Sequence, residues 1–595
     1  MIWKAGSAAV SSQTIAKVGG FDNARFHRHA YIILLLLVAF LLRWSNLTAK
    51  LTIEHDEAIS YLAATCNQAR YAQDQRLWAR PVTATEWKDY LRVSEPYCFG
   101  EISRDLASLD VHPPLYFWAL HLWTVIFAVA PRTGPAFNVF ISLLTAAFLY
   151  RLALETLKRQ DMALLVALTY TLNLVVVKVS LVARQYEFLA FWTVLLVTLI
   201  LHLTEDRISH EGRYLILFAT IIIAGSLTHY QFLIPVSGAF AYATLKLIKK
   251  DLWRLGRILL SVLFAYLLAQ WIFPIFSIIL RRQGGMAKPP NFIDFGDRIY
   301  TSFYNLYSYY YVFFIALILA LIMWVVRKRY NDAAARAEAD NPLRLDWIGF
   351  FLFWILGAIF LLFISFRSPR HAMGARYLSM AWPFMAFLPY FVLRLVNFRK
   401  TVLLYFYLIP LVIAFFSLVG NVLSRPADPV SRFQEVDLVL FDNTAAGILL
   451  PQIIHLPDDQ LVVAGSQEQL LADSAPWLPR LSEESLYVST FEYARAAEGR
   501  DLLLAMIEEA GLEVASAQEY PYFKNTVVYT FCSCCSVDCP KVGFVLDSTD
   551  RTKPGSPAPT SLSMIWPPGL LFKSSVHSNL VPFVSSLIDP QLRIC

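Results

Sequence analysis

The stretch TIEHDEAISYLAAT, residues 52–65, follows the first strongly apolar run of the chain and places Glu54, His55, Asp56 and Glu57 in consecutive positions. A carboxylate at the mouth of a membrane span is partly desolvated, and there it can serve as a general base or bind a cation. An acidic loop in solvent would carry the same residues with no chemistry. In a helix Glu54 and Glu57 share one face while Asp56 points about 100° away. The acids therefore cannot act as a unit, and one of them is expected to face inward.

A second group lies in LDVHPPLYFWALHLW, residues 109–123. The residue before a proline is pushed to extended geometry and proline is favoured in a first helical turn, so Pro113 and Pro114 set where a helix begins. Asp110 and His112 are then held at its N-terminal mouth, unless the prolines merely punctuate a surface loop. Arginines form a third group: Arg184 in LVARQYEF, Arg281 and Arg282 in LRRQGG, and Arg367, Arg370 and Arg376 in FRSPRHAMGARY. Arg can grip a phosphate bidentately; each of these could instead snorkel to lipid headgroups. His229 and Tyr230 in LTHYQFL sit at a very tight turn, with or without a ligand to meet. Cys66 and Cys98 share one long loop, either as a disulfide in an oxidising compartment or as two free thiols. Cys532, Cys534, Cys535 and Cys539 in FCSCCSVDCP lack paired C-x-x-C spacing, which favours a disulfide-bearing or disordered tail over zinc.

Membrane helices must position these groups. The 595 residues are 57% hydrophobic, 15% aromatic and 16% charged, with a mean hydropathy of +0.49, values that mark a polytopic membrane protein. The net charge of +6 says little about a partner, because cytoplasmic loops collect Lys and Arg in any case. The run from Ala30 follows Lys4, Lys17, Arg25 and Arg28 without a small-residue cleavage pattern, so it is expected to remain as an anchor. Stretches near the roughly 20 residues needed to cross a bilayer recur at 30–48, 135–153, 161–180, 186–203, 213–229, 231–248, 257–280, 306–326, 347–366, 377–396 and 402–422, eleven in all.

The segment from Pro114 to Ala130 could be a twelfth span or an aromatic-rich interfacial helix. Loop charge decides between them. With eleven spans and a cytoplasmic N-terminus, Arg151, Lys158 and Arg159, then Lys246, Lys249, Lys250, Arg254 and Arg257, then Arg327, Lys328, Arg329, Arg336 and Arg344, and finally Arg399 and Lys400 all fall inside. Twelve spans would put the same clusters outside, against the bias that sets orientation. Residues 1–29 are then cytoplasmic, 30–422 form the helical membrane domain, and 49–134 is its first outer loop. Residues 423–550 are expected to form a small extracytoplasmic α/β domain, in which DDQLVVAG, ESLYVST and TVVYTF read as strands and RDLLLAMIEEAGLEV as a helix closed by Gly511. The Ser- and Pro-rich residues 551–595 are left as a disordered tail.

The chain has no Walker loop, no G-x-G-x-x-G opening a helix, no H-E-x-x-H and no chain of charges buried mid-span. These absences weigh against ATPase, dehydrogenase, metalloprotease and ion-coupled transporter functions. Taken in order, HDEA in the first outer loop, HPPLY, ARQYEFLAFW, THYQFL and GARYLSMAWPFMAFL resemble the GT-C glycosyltransferases over roughly residues 30–422. The likeness is to the branch of protein O-mannosyltransferases and lipid A aminoarabinose transferases. It implies inverting transfer of a sugar from a polyprenyl-phosphate donor to a glycan, lipid or protein acceptor at the outer face of the plasma membrane, with membrane lipids around it. No nucleic acid is expected as a partner. By the same resemblance Asp56 is general base and Glu57 assists in positioning, Arg184 and Arg376 hold the phosphate, and His112 lines the site. Asp110, Tyr186, His229 and Tyr377 are further substrate-binding candidates. No cofactor is expected, although a carboxylate here could bind a divalent ion instead of a proton. Tyr116 and Phe117 stand where protein O-mannosyltransferases carry glycine and lysine, which leans towards the bacterial enzymes. A lipid-linked-sugar flippase without transferase activity is the alternative.

Overall fold

Leucine-rich sequence with a single charge, the buried Arg43, makes Ala30–Thr48 the membrane-length part of the first helix, α1 (Gln13–Thr48). The computed structural model describes residues 13–274 apart from 75, 111 and 206–208, then 278, 376, 379–387, a few positions between 412 and 423, and 436–533 apart from 491–494 and 520–525. All of them belong to one unit, Met1–Lys541.

Helix α2 (His55–Ala64) starts as a capping box, with Glu54 at the N-cap and Glu57 three positions on, so the acidic run is what nucleates it. The same loop adds α3 (Gln68–Gln73), α4 (Ala84–Lys88) and α5 (Phe99–Leu109), and Asp110 ends α5 in extended geometry ahead of the two prolines. The apolar helix that follows, α6 (Leu115–Phe127), has 13 residues. At about 1.5 Å per residue it is too short to cross a bilayer core of roughly 30 Å. A disulfide joins Cys66 to Cys98, and beside it the buried His121 reaches the carbonyls of Ala64 (2.7 Å) and Pro96 (2.9 Å).

The helical part continues with α7 (Thr133–Leu157), α8 (Gln160–Thr171), α9 (Leu174–Ser180), α10 (Tyr186–Leu203), α11 (Glu211–Thr228), α12 (Leu233–Leu247) and α13 (Leu252–Ile272). Among the described residues five helices are long and apolar enough to span a membrane, and the α8–α9 pair, bent by 56°, is a sixth candidate. The expected spans at 306–326 and 347–366 lie outside the described residues, as do most of 377–396 and 402–422. Three expected spans change shape. The stretch 231–248 is shortened to the 15 residues of α12, because a separate tight turn, Tyr230–Phe232, precedes it. The stretch 161–180 is broken because Asn173 Oδ1 accepts from the N–H groups of Val175 (2.9 Å) and Val176 (3.3 Å), starting a new helix inside an apolar run. The stretch 257–280 begins earlier, where Asp251 caps α13, and stops at Ile272 as Phe273 turns extended before Pro274.

The C-terminal part is a six-stranded sheet in the order β1-β3-β2-β4-β6-β5. Its strands are β1 (Val82–Thr83), β2 (Leu438–Phe441), β3 (Leu461–Ala464), β4 (Leu486–Thr490), β5 (Leu512–Glu519) and β6 (Thr526–Ser533). Helices α14 (Ala446–Ile453), α15 (Gln467–Ala472) and α16 (Arg495–Glu509) connect them. The three anticipated strands and the helix are present. Gly511, at φ +94°, closes α16 as only glycine does without strain, but Leu512 onwards forms β5 and not more helix. Cys532 is disulfide-bonded, while Cys534, Cys535 and Cys539 lie outside the described residues.

This sheet is not self-contained. Strand β1 comes from the loop between the first two spans and pairs antiparallel with β3. Tyr71 donates to the carbonyl of Thr444 (2.7 Å), Ala84 N–H to Gln460 (2.8 Å), and Lys88 pairs with Asp458 (2.8 Å). One apolar core runs from Tyr61 and Leu62 through Trp87 and Phe117 to Val439, Leu449 and Ile453. Near its edge α14 approaches the start of α2 so closely that a Cβ on Gly447 would run into the His55 ring. Gly447→Val should therefore lower stability by about 1–3 kcal/mol, the usual cost of overpacking. Thermal unfolding in detergent measures it, and His55→Ala in the same chain should recover most of the loss. An equal loss in the His55→Ala background would mean that the two groups do not touch.

Candidate active site

Glu57 is fully buried and all its contacts are structural. Its Oε2 accepts from the Glu54 N–H (2.7 Å) and pairs with Lys50 (2.9 Å), and its Oε1 accepts from the Ala183 N–H (2.7 Å). Burial pushes its carboxyl up, against the pull of Lys50. The first turn of α2 is thereby tied to the turn 181–185 that joins α9 to α10. Asn138, a buried amide on α7, holds the other side of that turn by donating to the carbonyls of Val182 (2.5 Å) and Arg184 (2.9 Å).

That turn delivers Arg184, which is 6% exposed. Its Nη1 donates to the Asp56 carbonyl (3.4 Å) and the Ser60 hydroxyl (3.2 Å), and its Nη2 lies 3.0 Å from His112 Nε2. A guanidinium can only donate, so Nε2 of His112 is the acceptor and Nδ1 carries the proton. The Gln185 amide lies 3.0 Å from Nδ1, and it is satisfied there when its oxygen faces that N–H. His112 is thus a neutral imidazole of fixed tautomer. Burial pushes its pKa down to about 4, with Arg184 adding to the shift and Asp110, whose Oδ1 is 3.8 Å from Nε2, opposing it.

Asp56, one residue before Glu57, points the other way. Its side chain is 25% exposed and pairs with Arg376, itself 38% exposed. Burial raises the Asp56 carboxyl, but Arg184, Arg376 and His55 outweigh it and hold the group below its ordinary value. The Arg376 guanidinium also lies 6.0 Å from the centroid of the Tyr186 ring, within cation–π range. Tyr186 in turn lies 5.9 Å from His229, and His229 lies 5.6 Å from His112. His229 is fully buried, and its Nδ1 accepts from the Gln231 N–H (3.1 Å), so Nε2 carries the proton. That N–H has no partner among the described residues.

The arrangement brings together seven residues singled out by sequence: Asp56, Asp110, His112, Arg184, Tyr186, His229 and Arg376. Glu57 stands behind them as a tie. Tyr377, Arg281, Arg282, Arg367 and Arg370 lie outside the described residues. Ser60, Asn138 and Gln185 were missed. A lone Asn inside the apolar α7 was the available signal for Asn138, since polar groups within a span need partners. Among the described residues the close grouping of His, Cys, Asp and Glu ligand atoms is Cys66, Cys98 and His121, and its two sulfurs are joined to each other.

No family model and no curated protein matches the chain. Two similar solved structures are of ArnT from Cupriavidus metallidurans, one bound to undecaprenyl phosphate (TM-score 0.47) and one in the apo state (TM-score 0.48). Both are 12% identical to this chain and cover 84% of it and 98% of their own length. At that identity the likeness assigns neither a reaction nor a residue.

The neutral, buried His112 has a consequence for stability. Its folded-state pKa lies below the ordinary value, so between about 6.5 and 4 the unfolded chain binds more protons and stability falls as the pH falls. Asp56, held low, and His229, pushed well below its ordinary value by burial, act in the same sense. Glu57, raised by burial, acts in the opposite sense, so the His112 part is read from thermal midpoints of the parent and of a His112 variant compared from pH 7 to pH 4.5. His112→Gln should remove about 1–2 kcal/mol of that dependence, and a slope identical to that of the parent would show that His112 does not titrate there.

Proposed function

We propose that the chain is a GT-C membrane glycosyltransferase. It moves a sugar from a polyprenyl-phosphate donor to a hydroxyl of a glycan, lipid or protein acceptor at the outer face of the plasma membrane. The observation that carries this is one partly exposed carboxylate, Asp56, facing two arginines of unequal freedom beside apolar, membrane-length helices. The motifs HDEA, HPPLY and ARQYEF, read in sequence as a GT-C resemblance, supply most of those residues.

In the proposed reaction the acceptor oxygen attacks the anomeric carbon and gives its proton to Asp56. The bond from that carbon to the phosphate oxygen breaks, and its electron pair leaves on the phosphate. A single displacement of this kind inverts the anomeric centre. Charge builds on the departing phosphate, and fixed Arg donors in a partly dry site stabilise it most effectively. Arg376 meets that oxygen from the open side. Arg184 supports it from behind while holding His112, whose neutral ring closes the site without adding positive charge.

Two observations support the outer-face assignment. The Cys66–Cys98 disulfide suits an oxidising compartment and lies in the same loop as Asp56. The basic residues Arg151, Lys158 and Arg159, and Lys249 and Lys250, gather at the other ends of their helices, as a cytoplasmic side would have them.

Asp56→Asn should lower sugar transfer from a purified polyprenyl-phosphate donor by about 10²- to 10⁴-fold with folding intact. Release of free polyprenyl phosphate is the readout, because a flippase would move the lipid without cleaving it. Unchanged turnover would remove Asp56 as the base, and a parent protein that releases no phosphate would remove the transferase assignment.

A further inference from the structure

We propose that Arg376 is shared between Asp56 and the donor phosphate, so that arrival of the donor takes the arginine away from the carboxylate and frees Asp56 for the acceptor. This inference rests on the transferase reading above and adds an order of events to it: donor first, acceptor second.

The two arginines differ in what they can give up. Arg184 is buried, and its two terminal nitrogens are committed to the Asp56 carbonyl, the Ser60 hydroxyl and His112. It cannot turn to a ligand without dismantling the joint between α2 and α10. Arg376 stands partly in the open, with its guanidinium paired to the Asp56 carboxylate and lying over the Tyr186 ring. An incoming anion therefore meets Arg376 before the buried Arg184, and it meets it already engaged.

That engagement blocks both halves of the reaction. A carboxylate neutralised by a guanidinium has little pull on a hydroxyl proton, and the same guanidinium is not available to a phosphate. Arg376 is the one side-chain hydrogen-bond donor to the Asp56 carboxylate among the described residues, so a single exchange resolves both problems. A phosphate offers several strong acceptor oxygens and takes two parallel bonds from an arginine, which lets it displace one carboxylate. Tyr186 is placed to keep the guanidinium in the site as it swings, because its ring contact does not depend on which anion holds the other side. Once the swap is made, Asp56 keeps Arg184 at its own backbone carbonyl but has an oxygen facing the opening. The base is thus uncovered only when there is a leaving group for it to act with.

The test measures binding of polyprenyl phosphate, the lipid product, to the full-length protein in detergent. Asp56 competes for Arg376, so Asp56→Asn should bind the lipid about three- to tenfold more tightly than the parent, although it has lost turnover. Asp56→Ala should do the same, and it removes the possibility that the Asn amide pairs with Arg376 afresh. Arg376→Gln should weaken binding about tenfold or more. The decisive comparison is the double variant Asp56→Ala with Arg376→Gln, which should bind no more tightly than Arg376→Gln alone. Tightening that persists in the double variant would overturn the proposal, because removal of any negative charge would then explain it. Equal or weaker binding by both Asp56 variants would also overturn it, while leaving the transferase assignment standing. A parent protein with no affinity for polyprenyl phosphate would overturn both.

Discussion

The Glu57 carboxylate receives three donors from three places: the Glu54 backbone ahead of it, the Ala183 backbone from beyond α9, and the Lys50 ammonium at the end of α1. Burying a carboxylate is costly, and only a nearly complete set of donors offsets that cost. Here the set is drawn from segments more than a hundred residues apart, so the charge is satisfied only when α1, α2 and the α9–α10 turn are all in place. Every other distance in the site depends on that joint. Arg184 reaches Ser60 and His112 because residues 181–185 are fixed against α2, and Asp56 faces outward because its neighbour Glu57 must face inward. Removing one partner would leave a buried charge unpaired, which costs far more than the pair contributes when whole.

The C-terminal sheet serves the same end from the other side. It takes an edge strand from the loop after α1, shares its apolar core with α2 and α6, and sets α14 against His55 at a glycine. Two long insertions at opposite ends of the sequence thus form one layer over the mouth of the helices. A helix of 10 residues such as α2 is marginal in isolation. It needs a surface on each side to hold a functional residue at its first turn.

Much of this was legible in the sequence, and what was not has specific causes. Hydropathy placed 30–48 and 186–203 where the helices are, because burial in lipid is a property of whole runs. The 100° rule separated Asp56 from Glu57 correctly, since helical geometry is local, but it also put Glu54 on the face of Glu57, whereas Glu54 is the exposed N-cap and Glu57 is buried. The prolines correctly marked the gap between α5 and α6. The break at Asn173 was missed because one capping side chain redirects the backbone without altering the average hydropathy. The partners Ser60, Asn138 and Gln185 were missed because nothing in a residue's own neighbourhood says which distant carbonyl or ring it will meet. Strand β1 has two residues and exists only through its pairing with β3, a contact across almost four hundred positions.

The electrostatics around Asp56 fit a particular kind of transfer. Arg184 and Arg376 hold the Asp56 carboxyl below its ordinary value, and after Arg376 has moved to the phosphate Arg184 still stands beside it, so Asp56 is a weak base, which would suit poorly a reaction begun by proton abstraction. In the proposed reaction the departing phosphate leads. Sugar transfer passes through a state in which the anomeric carbon carries positive charge and the leaving group is largely detached, and the acceptor hydroxyl becomes acidic only as its oxygen bonds to that carbon. A base that takes a proton late need not be strong; it must be ionised, close and correctly aimed. The leaving group needs positive charge throughout. A site that favours its arginines over the strength of its base therefore places its electrostatic help where that barrier is highest, and a neutral His112 avoids spreading the positive charge away from the phosphate. Asp56 then owes its role to position, and its position follows from the buried Glu57 beside it.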